Sequence, residues 1–416
     1  MISLRSRWSN PVLSLLQVLA RRWKVVVFVL LAAILEVFFH VRDYVVTRPA
    51  TNLDAPFRIG CQDGIQNTTV RANATFIMLA RNSDIDNAVA SVESVQRRFN
   101  DHFRYPWVFL NDEAWTPAFI DKVTKAVGDG SGARFDTIPE DMWGFPEWID
   151  QQRAHKSMDE MQSRRIIYAG IESYHHMCRF QSGFFYDHPA LQPYKWYWRV
   201  EPDIKLTCDL TYDPFVSMAV HQKVYGYTIA LWELGKTVPS LYRKISDYKS
   251  TLHISTTSLW IALTDASYAP WPIRRFLLPW LRNRNSEGDL WNMCHFWSNF
   301  EIADMDFFRS EAYRKLFRHL DEDGGFYYER WGDAPVHTLA AAMLLKPEQL
   351  HHFSDLGYMH SRLQYCAFAP KNGARGVLVP GRKEDRGEML GCNCECDEQI
   401  EIVDATCLNR VRRTVM

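Results

Sequence analysis

The apolar run Trp196-Tyr197-Trp198-Arg199-Val200 leads directly into Glu201-Pro202-Asp203. Pro202 biases Glu201 towards extended geometry, so a strand delivers two carboxylates, Glu201 and Asp203, at its carboxyl end. At i, i+2 spacing in an extended chain they face one side, which suits a hard divalent cation that itself holds a diphosphate. A Glu-Pro-Asp turn alone is more often only a polar turn. Four further titratable groups stand in aromatic or glycine-rich settings. Glu233 closes TIALWE. Glu301 lies in CHFWSNFEI, where a carboxylate amid Phe296, Trp297 and Phe300 is costly to bury without a task. Asp333 follows Gly324, Gly325 and Gly332 in GGFYYERWGDAPVH, and His360 ends DLGYMH. Singly, each reads more readily as a satisfied core group or an exposed turn.

The elements that must hold these groups alternate. ATFIMLA from Ala74 and PWVFLND are short apolar runs, the pattern of strands buried on both faces. Between them Ala88, Val92, Val95 and Phe99 recur at helical spacing, with Ser83 or Asp84 as the cap. PAFIDKVTKAV predicts another helix and ARFDTIP another strand. SRRIIYAGIESYHHMCRFQSGFF predicts a helix ending near Gly183, and VYGYTIALWE one more strand. Strand–helix alternation means an α/β fold with a mostly parallel sheet, whose ligands sit at the carboxyl ends of strands. Those ends carry Arg81-Asn82-Ser83-Asp84 and Asn111-Asp112-Glu113. Neither GxGxxG nor GxxxxGK[ST] occurs, which disfavours a dinucleotide site or a P-loop.

The N-terminus speaks to compartment. Arg5, Arg7, Arg21, Arg22 and Lys24 precede an apolar run from Val25 to Val41, interrupted by Glu36. As a helix that run rises about 25 Å, a little short of an average hydrocarbon core of about 30 Å. The basic flank predicts a cytosolic N-terminus. The expected organisation is a tail over 1–24, a transmembrane signal-anchor over 25–41, a lumenal stem over 42–73 and a catalytic domain over 74–416. A cleaved signal peptide is the alternative, but no small-x-small site follows the run. Asn67-Thr68-Thr69 and Asn73-Ala74-Thr75 are glycosylation sequons at Asn67 and Asn73. Cys392, Cys394 and Cys396 form a CxCxC cluster with Cys407 behind it. Without nearby His or CxxC spacing, this predicts disulfides pinning the C-terminal tail, and nine cysteines leave at least one unpaired within the chain. The stretch 251–282 is apolar but broken by three prolines, so no second span is expected. With 48 Lys+Arg against 49 Asp+Glu, there is no basic excess for a nucleic-acid binder. Aromatic residues make up 14% of the chain; some are plain core, but their clustering beside Glu201, Glu301 and Asp333 favours walls of a ligand cleft where ring faces pack.

Taken together, the motifs LARNSD, YPWVFLND, YHHMCRFQSGFF, WYWRVEPD, YGYTIALWE, NMCHFWSNFEIAD, GGFYYERWGDAPVH, HHFSDLGYMH and CNCECD resemble the fungal α-1,2-mannosyltransferase family, glycosyltransferase family 15. The similarity runs from about residue 74 to the CxCxC tail. It implies a Golgi type II membrane protein with a GT-A-like α/β fold. It implies transfer of mannose from GDP-mannose to an acceptor mannose on protein-linked glycans, with Mn²⁺ and with retention of configuration. By motif, Glu201 and His360 become the metal ligands and Glu301 the candidate nucleophile or charge stabiliser. Tyr174 and Asp333 match further active-site positions. Arg81, Asp203 and Glu233 are expected at the substrate. Three departures from the family pattern stand out: the greasy stretch between Lys249 and Arg284, Met359 where a His is expected, and the basic, Gly-rich 371–391 linker. A catalytically silent, membrane-anchored mannan-binding partner of active paralogues is the second reading, and a glycoside hydrolase a weaker third.

Overall fold

The computed structural model describes residues 22–46, 61, 64–66, 71–370, 386–397, 401–402 and 407. The Asn67 sequon and most of the 371–391 linker lie outside the described residues. Seven strands form the central sheet: β1 (Ala74–Leu79), β2 (Trp107–Asn111), β3 (Ala133–Thr137), β4 (Trp196–Val200), β5 (Tyr225–Tyr227), β6 (Phe300–Asp304) and β7 (Leu350–His352). Their order is β7-β5-β6-β4-β1-β2-β3. All neighbours run parallel except β6, which is antiparallel to both β4 and β5.

Strand alternation sorts the aromatics. Phe76, Trp107 and Trp198 share one register line and one face, with Phe76 stacked on Trp107 at 4.4 Å. Helices α2 (Ile85–Val95) and α3 (Pro117–Val127) cover that face. On the other face Tyr197, Tyr225 and Ala303 pack beneath α4 (Glu172–Gly183), α5 (Glu311–Asp323) and α6 (Asp333–Leu344). Most aromatics are therefore core. Trp198 and Phe300 point to the face opposite Glu301, because side chains alternate along a strand. They are not the walls of a ligand cleft.

Several elements differ from expectation. Helix α1 (Trp23–Val46) runs past both ends of the predicted 25–41 span and into the predicted stem. The helix expected from Ser163 begins only at Glu172, after left-handed residues at Arg165 and Tyr168. VYGYTIALWE divides into β5 and a separate strand, Ala230–Trp232, which pairs with Cys294–Phe296 in a different sheet. Asp84 stands at the N-cap of α2, but its carboxylate accepts the backbone N–H of Arg81 at 3.0 Å instead of capping that helix.

A smaller sheet joins Ile204–Leu206, Tyr358–His360, Leu363–Tyr365 and Glu401–Ile402. The CxCxC tail is stapled to it and to the body by Cys61–Cys392, Cys208–Cys394 and Cys366–Cys396, while Cys294–Cys407 fastens the last described residue. Cys178, in α4, is free and buried.

Candidate active site

β4 ends where the chemistry begins. Arg199 and Glu301 are directly opposite each other on β4 and β6, on the face covered by α4 and α6. Arg199 is buried and works as a fork. Its Nε donates to Glu201 at 2.6 Å, and Nη1 donates to Asp333 at 2.5 Å. Asp333 stands in the first turn of α6, where the helix dipole favours an anion. It also accepts the Ser298 hydroxyl at 2.7 Å. Burial alone would raise the Asp333 pKa, but the Arg199 guanidinium outweighs it and holds this carboxyl at about 2. Burial likewise works against the charged guanidinium, yet Asp333 and Glu201 together hold Arg199 above its ordinary range. The loop leading to Asp333 is set by a close approach: a Cβ on Gly325 would lie 2.1 Å from the Trp331 ring, so only glycine fits there.

Glu301 is fully buried. Tyr197 donates to one carboxylate oxygen. Tyr225 donates to the other at 2.6 Å, and His337 Nδ1 lies 3.0 Å from that same oxygen. Desolvation raises the Glu301 pKa above the ordinary carboxylate range, and the nearby His337 only partly offsets this.

A second charge set lies alongside. Arg330 donates to the Tyr174 hydroxyl at 2.9 Å and reaches Glu233 at 3.5 Å. Glu233 is fixed by the Thr237 hydroxyl at 3.0 Å and the Leu234 N–H at 2.7 Å. Tyr174 stacks on the exposed Tyr168 at 4.9 Å, and burial raises its hydroxyl pKa. The two sets meet through α4: Tyr174 and Cys178 feel the charges of both Asp333 and Arg330. Arg81, just past β1, donates to Ser173 at the start of α4 at 3.0 Å.

The Glu-Pro-Asp turn corrects one expectation. Asp203 adopts a left-handed conformation, φ 68°, which Asp tolerates better than most residues. Glu201 and Asp203 therefore diverge instead of sharing one side of an extended chain. Glu201 turns in to Arg199, and Asp203 is exposed and accepts the Ser361 hydroxyl at 3.1 Å. The turn leads into Ile204–Leu206, whose antiparallel partner places His360 opposite Ile204. His360 is packed edge-on to Trp297 at 5.3 Å, and its Nδ1 is buried without a hydrogen-bond partner. Desolvation lowers its pKa below the ordinary histidine value, against the pull of Glu201 and Asp203. A neutral imidazole with an unsatisfied nitrogen beside Glu201 fits a borderline divalent cation. Among the described residues no cluster of three or more His, Cys, Asp or Glu side chains is gathered for a metal. Two protein ligands suit a cation whose remaining positions go to phosphates and water.

Asn73 is exposed, but its amide donates to the Pro193 carbonyl at 2.6 Å, and the hydroxyl residue of its sequon, Thr75, is buried in β1. Sequence reasoning assigned no role to Arg199, His337, Tyr197, Tyr225, Ser298 or Arg330. Two signals were available. His337 falls four residues after Asp333 on one helix face, and Arg199 falls two before Glu201 on one strand face.

The family profile described as "Glycolipid 2-alpha-mannosyltransferase" matches residues 41–414, nearly the whole chain, and the chain belongs to this family. An O-glycoside alpha-1,2-mannosyltransferase homolog 5 of Schizosaccharomyces pombe is 42% identical over 373 residues, covering 86% of this chain and 82% of that protein. The solved core-mannan synthase A (CmsA/Ktr4) of Aspergillus fumigatus, in its Mn/GDP form, is 34% identical with a TM-score of 0.65, covering 76% of this chain and 84% of its own. The mannosyltransferase Ktr4p of S. cerevisiae in complex with GDP is 35% identical with a TM-score of 0.67, covering 80% and 83%. The GT-A-like α/β fold expected from the motifs is thus the fold of this chain, and the enzyme class is that of a mannosyltransferase.

Proposed function

We propose that the protein is a retaining α-1,2-mannosyltransferase that moves mannose from GDP-mannose to a mannose acceptor on protein-linked glycans. The observation that carries this reading is the convergence of Glu201 and the free Nδ1 of His360 at the end of β4 with Asp333 and Glu301 behind them. Relatives with this fold are described with manganese and GDP. Glu201 and His360 are the residues that would hold Mn²⁺, which supplies charge neutralisation of the leaving diphosphate. Arg199 holds Glu201 in position through its Nε. In this reading Arg81 and Asp203, on the flanking loops, meet the nucleotide. Tyr174 and Glu233, both bonded to Arg330, orient the sugars.

Retention requires a covalent glycosyl-enzyme or same-face attack within an ion pair. The burial of Glu301 and the donors on both its oxygens favour the second. Glu301 and Asp333 then act as fixed negative charge beneath a developing oxocarbenium ion. Helix α1 is read as a single-pass type II signal-anchor, with the catalytic domain in the Golgi lumen. Trp23–Arg42 is 20 residues with mean hydropathy 2.4, long and apolar enough to cross a membrane. The four disulfides support an oxidising compartment.

The test is transfer of labelled mannose from GDP-mannose to methyl α-mannoside with Mn²⁺ by the full chain in detergent. Product with retained configuration is expected, and it should be lost in Glu301→Ala. GDP binding without transfer would replace this reading with that of a silent mannan-binding partner.

A further inference from the structure

One end of α1 is fastened to the body by charge. Glu36, His40 and Tyr44 fall at i, i+4 and i+8 and share one helix face. Glu36 is ion-paired with Arg274, and its other oxygen accepts the Trp271 backbone N–H at 2.9 Å. His40 sits between Arg274, at 2.9 Å, and Asp289, at 2.8 Å, and Tyr44 donates to the second oxygen of Asp289. Arg274 and Asp289 are both buried.

The segment so gripped is the greasy stretch that the catalytic site does not use. It folds as a short helix, Trp271–Phe276, followed by the single turn Leu278–Trp280. Its outer side is open and apolar. Trp271 is 47% exposed, Phe276 59%, Leu277 62%, Trp280 86% and Leu281 53%, with Arg275 and Arg282 alongside. Contiguous apolar surface of this kind marks an interaction site. Tryptophan, phenylalanine and leucine flanked by arginine is the composition of elements that lie in the membrane interface.

Depth decides the occupant. Glu36 precedes Arg42, the end of the 20-residue span, by six residues. At about 1.5 Å per residue it lies about 9 Å below that end. A segment bonded to Glu36 cannot stand clear of a bilayer that α1 crosses. The same contact accounts for an acidic residue inside an apolar span, since Arg274 supplies the countercharge that a carboxylate there needs.

We infer that the 271–282 segment is a membrane foot, inserted at the headgroup–acyl boundary beside α1, with the lipid bilayer as its partner. It rests on the reading of α1 as a membrane span. Anchor and foot together form a two-point attachment that fixes the orientation of the catalytic domain on the membrane.

The test reconstitutes the full chain in protein-free phosphatidylcholine vesicles carrying spin-labelled lipids. An NBD fluorophore is placed by Val29→Cys in α1, by Trp280→Cys in the foot, or by Ile120→Cys on α3 across the sheet. Lipid-borne spin labels are expected to quench the first two positions, and aqueous iodide alone the third. If the Val29 position is quenched and the Trp280 position behaves like Ile120, the foot is refuted while the anchor stands. If Val29 also escapes lipid quenching, the anchor reading fails and the foot with it. Because an added thiol can disturb disulfide pairing, intrinsic tryptophan fluorescence provides a second measure. Trp271→Ser with Trp280→Ser should lose part of the quenching that brominated lipid causes in the wild type, and undiminished quenching would overturn the inference.

Discussion

Replacing Asp333 by Asn removes the anion that one arm of Arg199 grips while leaving the shape of the site almost unchanged. The carboxyl is held at about 2 against an ordinary value of 3.8, which corresponds to about 2.5 kcal/mol of native-state stability at neutral pH. This lies just below the about 3–5 kcal/mol expected for breaking a buried ion pair, because Arg199 keeps Glu201 as a second partner. The sign follows from the depressed native value. The stabilisation is complete above the unfolded-state pKa and is lost as pH falls towards about 2. Urea unfolding of wild type and Asp333→Asn, followed from pH 7 to pH 2, should show a gap of about 2.5 kcal/mol at pH 7, read as a lower midpoint at unchanged slope. The gap should begin to close near pH 5, shrink to about 0.4 kcal/mol at pH 2 and vanish only near pH 1. A gap independent of pH, or one below about 0.5 kcal/mol at pH 7, would refute the placement of Asp333 under the control of Arg199.

Three further predictions follow from the same geometry. His360→Ala should raise the Mn²⁺ concentration needed for half-maximal activity and weaken Mn²⁺ binding measured by calorimetry; unchanged metal dependence would mean that His360 is not a ligand. Glu301→Gln keeps the volume but not the charge, so turnover should fall about a hundredfold or more with a small change in unfolding midpoint, and full activity would remove Glu301 from the mechanism. Arg330→Met strands the carboxylate of Glu233 at a buried site and should destabilise by about 3 kcal/mol, with Glu233→Gln in the same chain restoring much of the loss; additive losses in the double variant would show that the two do not form a pair.

The legible part of the fold was the part dominated by local pattern. β1, β2, α2 and α3 announce themselves through apolar runs and helical spacing, since each buries a continuous face. The candidate site residues came as a set from motif resemblance, and Glu201, Asp333 and Glu301 gather around Arg199 near one end of the central strands β4 and β6. The coupling between them was not. Arg199 bonds to residues 2 and 134 positions away, and only the pairing of β4 with β6 and the arrival of α6 create the second contact. The divergence of Asp203 depends on one backbone angle that composition does not encode. The break in VYGYTIALWE reflects competition between two sheets for one apolar run, a tertiary choice. Glu36 looked like a flaw in the span because its partner, Arg274, lies 238 residues away.

The disulfide pattern has a consequence in time. Each of the four bridges has one cysteine among residues 392–407 and the other at Cys61, Cys208, Cys294 or Cys366. A ribosome delivers the chain from its N-terminus, so the four earlier thiols emerge with no native partner yet made. Every bond formed among them before the tail arrives is a wrong one that must be exchanged. Oxidative maturation of this protein therefore waits on the segment 392–407. A chain cut short before Cys392 forfeits all four covalent links at once and carries the four earlier cysteines as unpaired thiols.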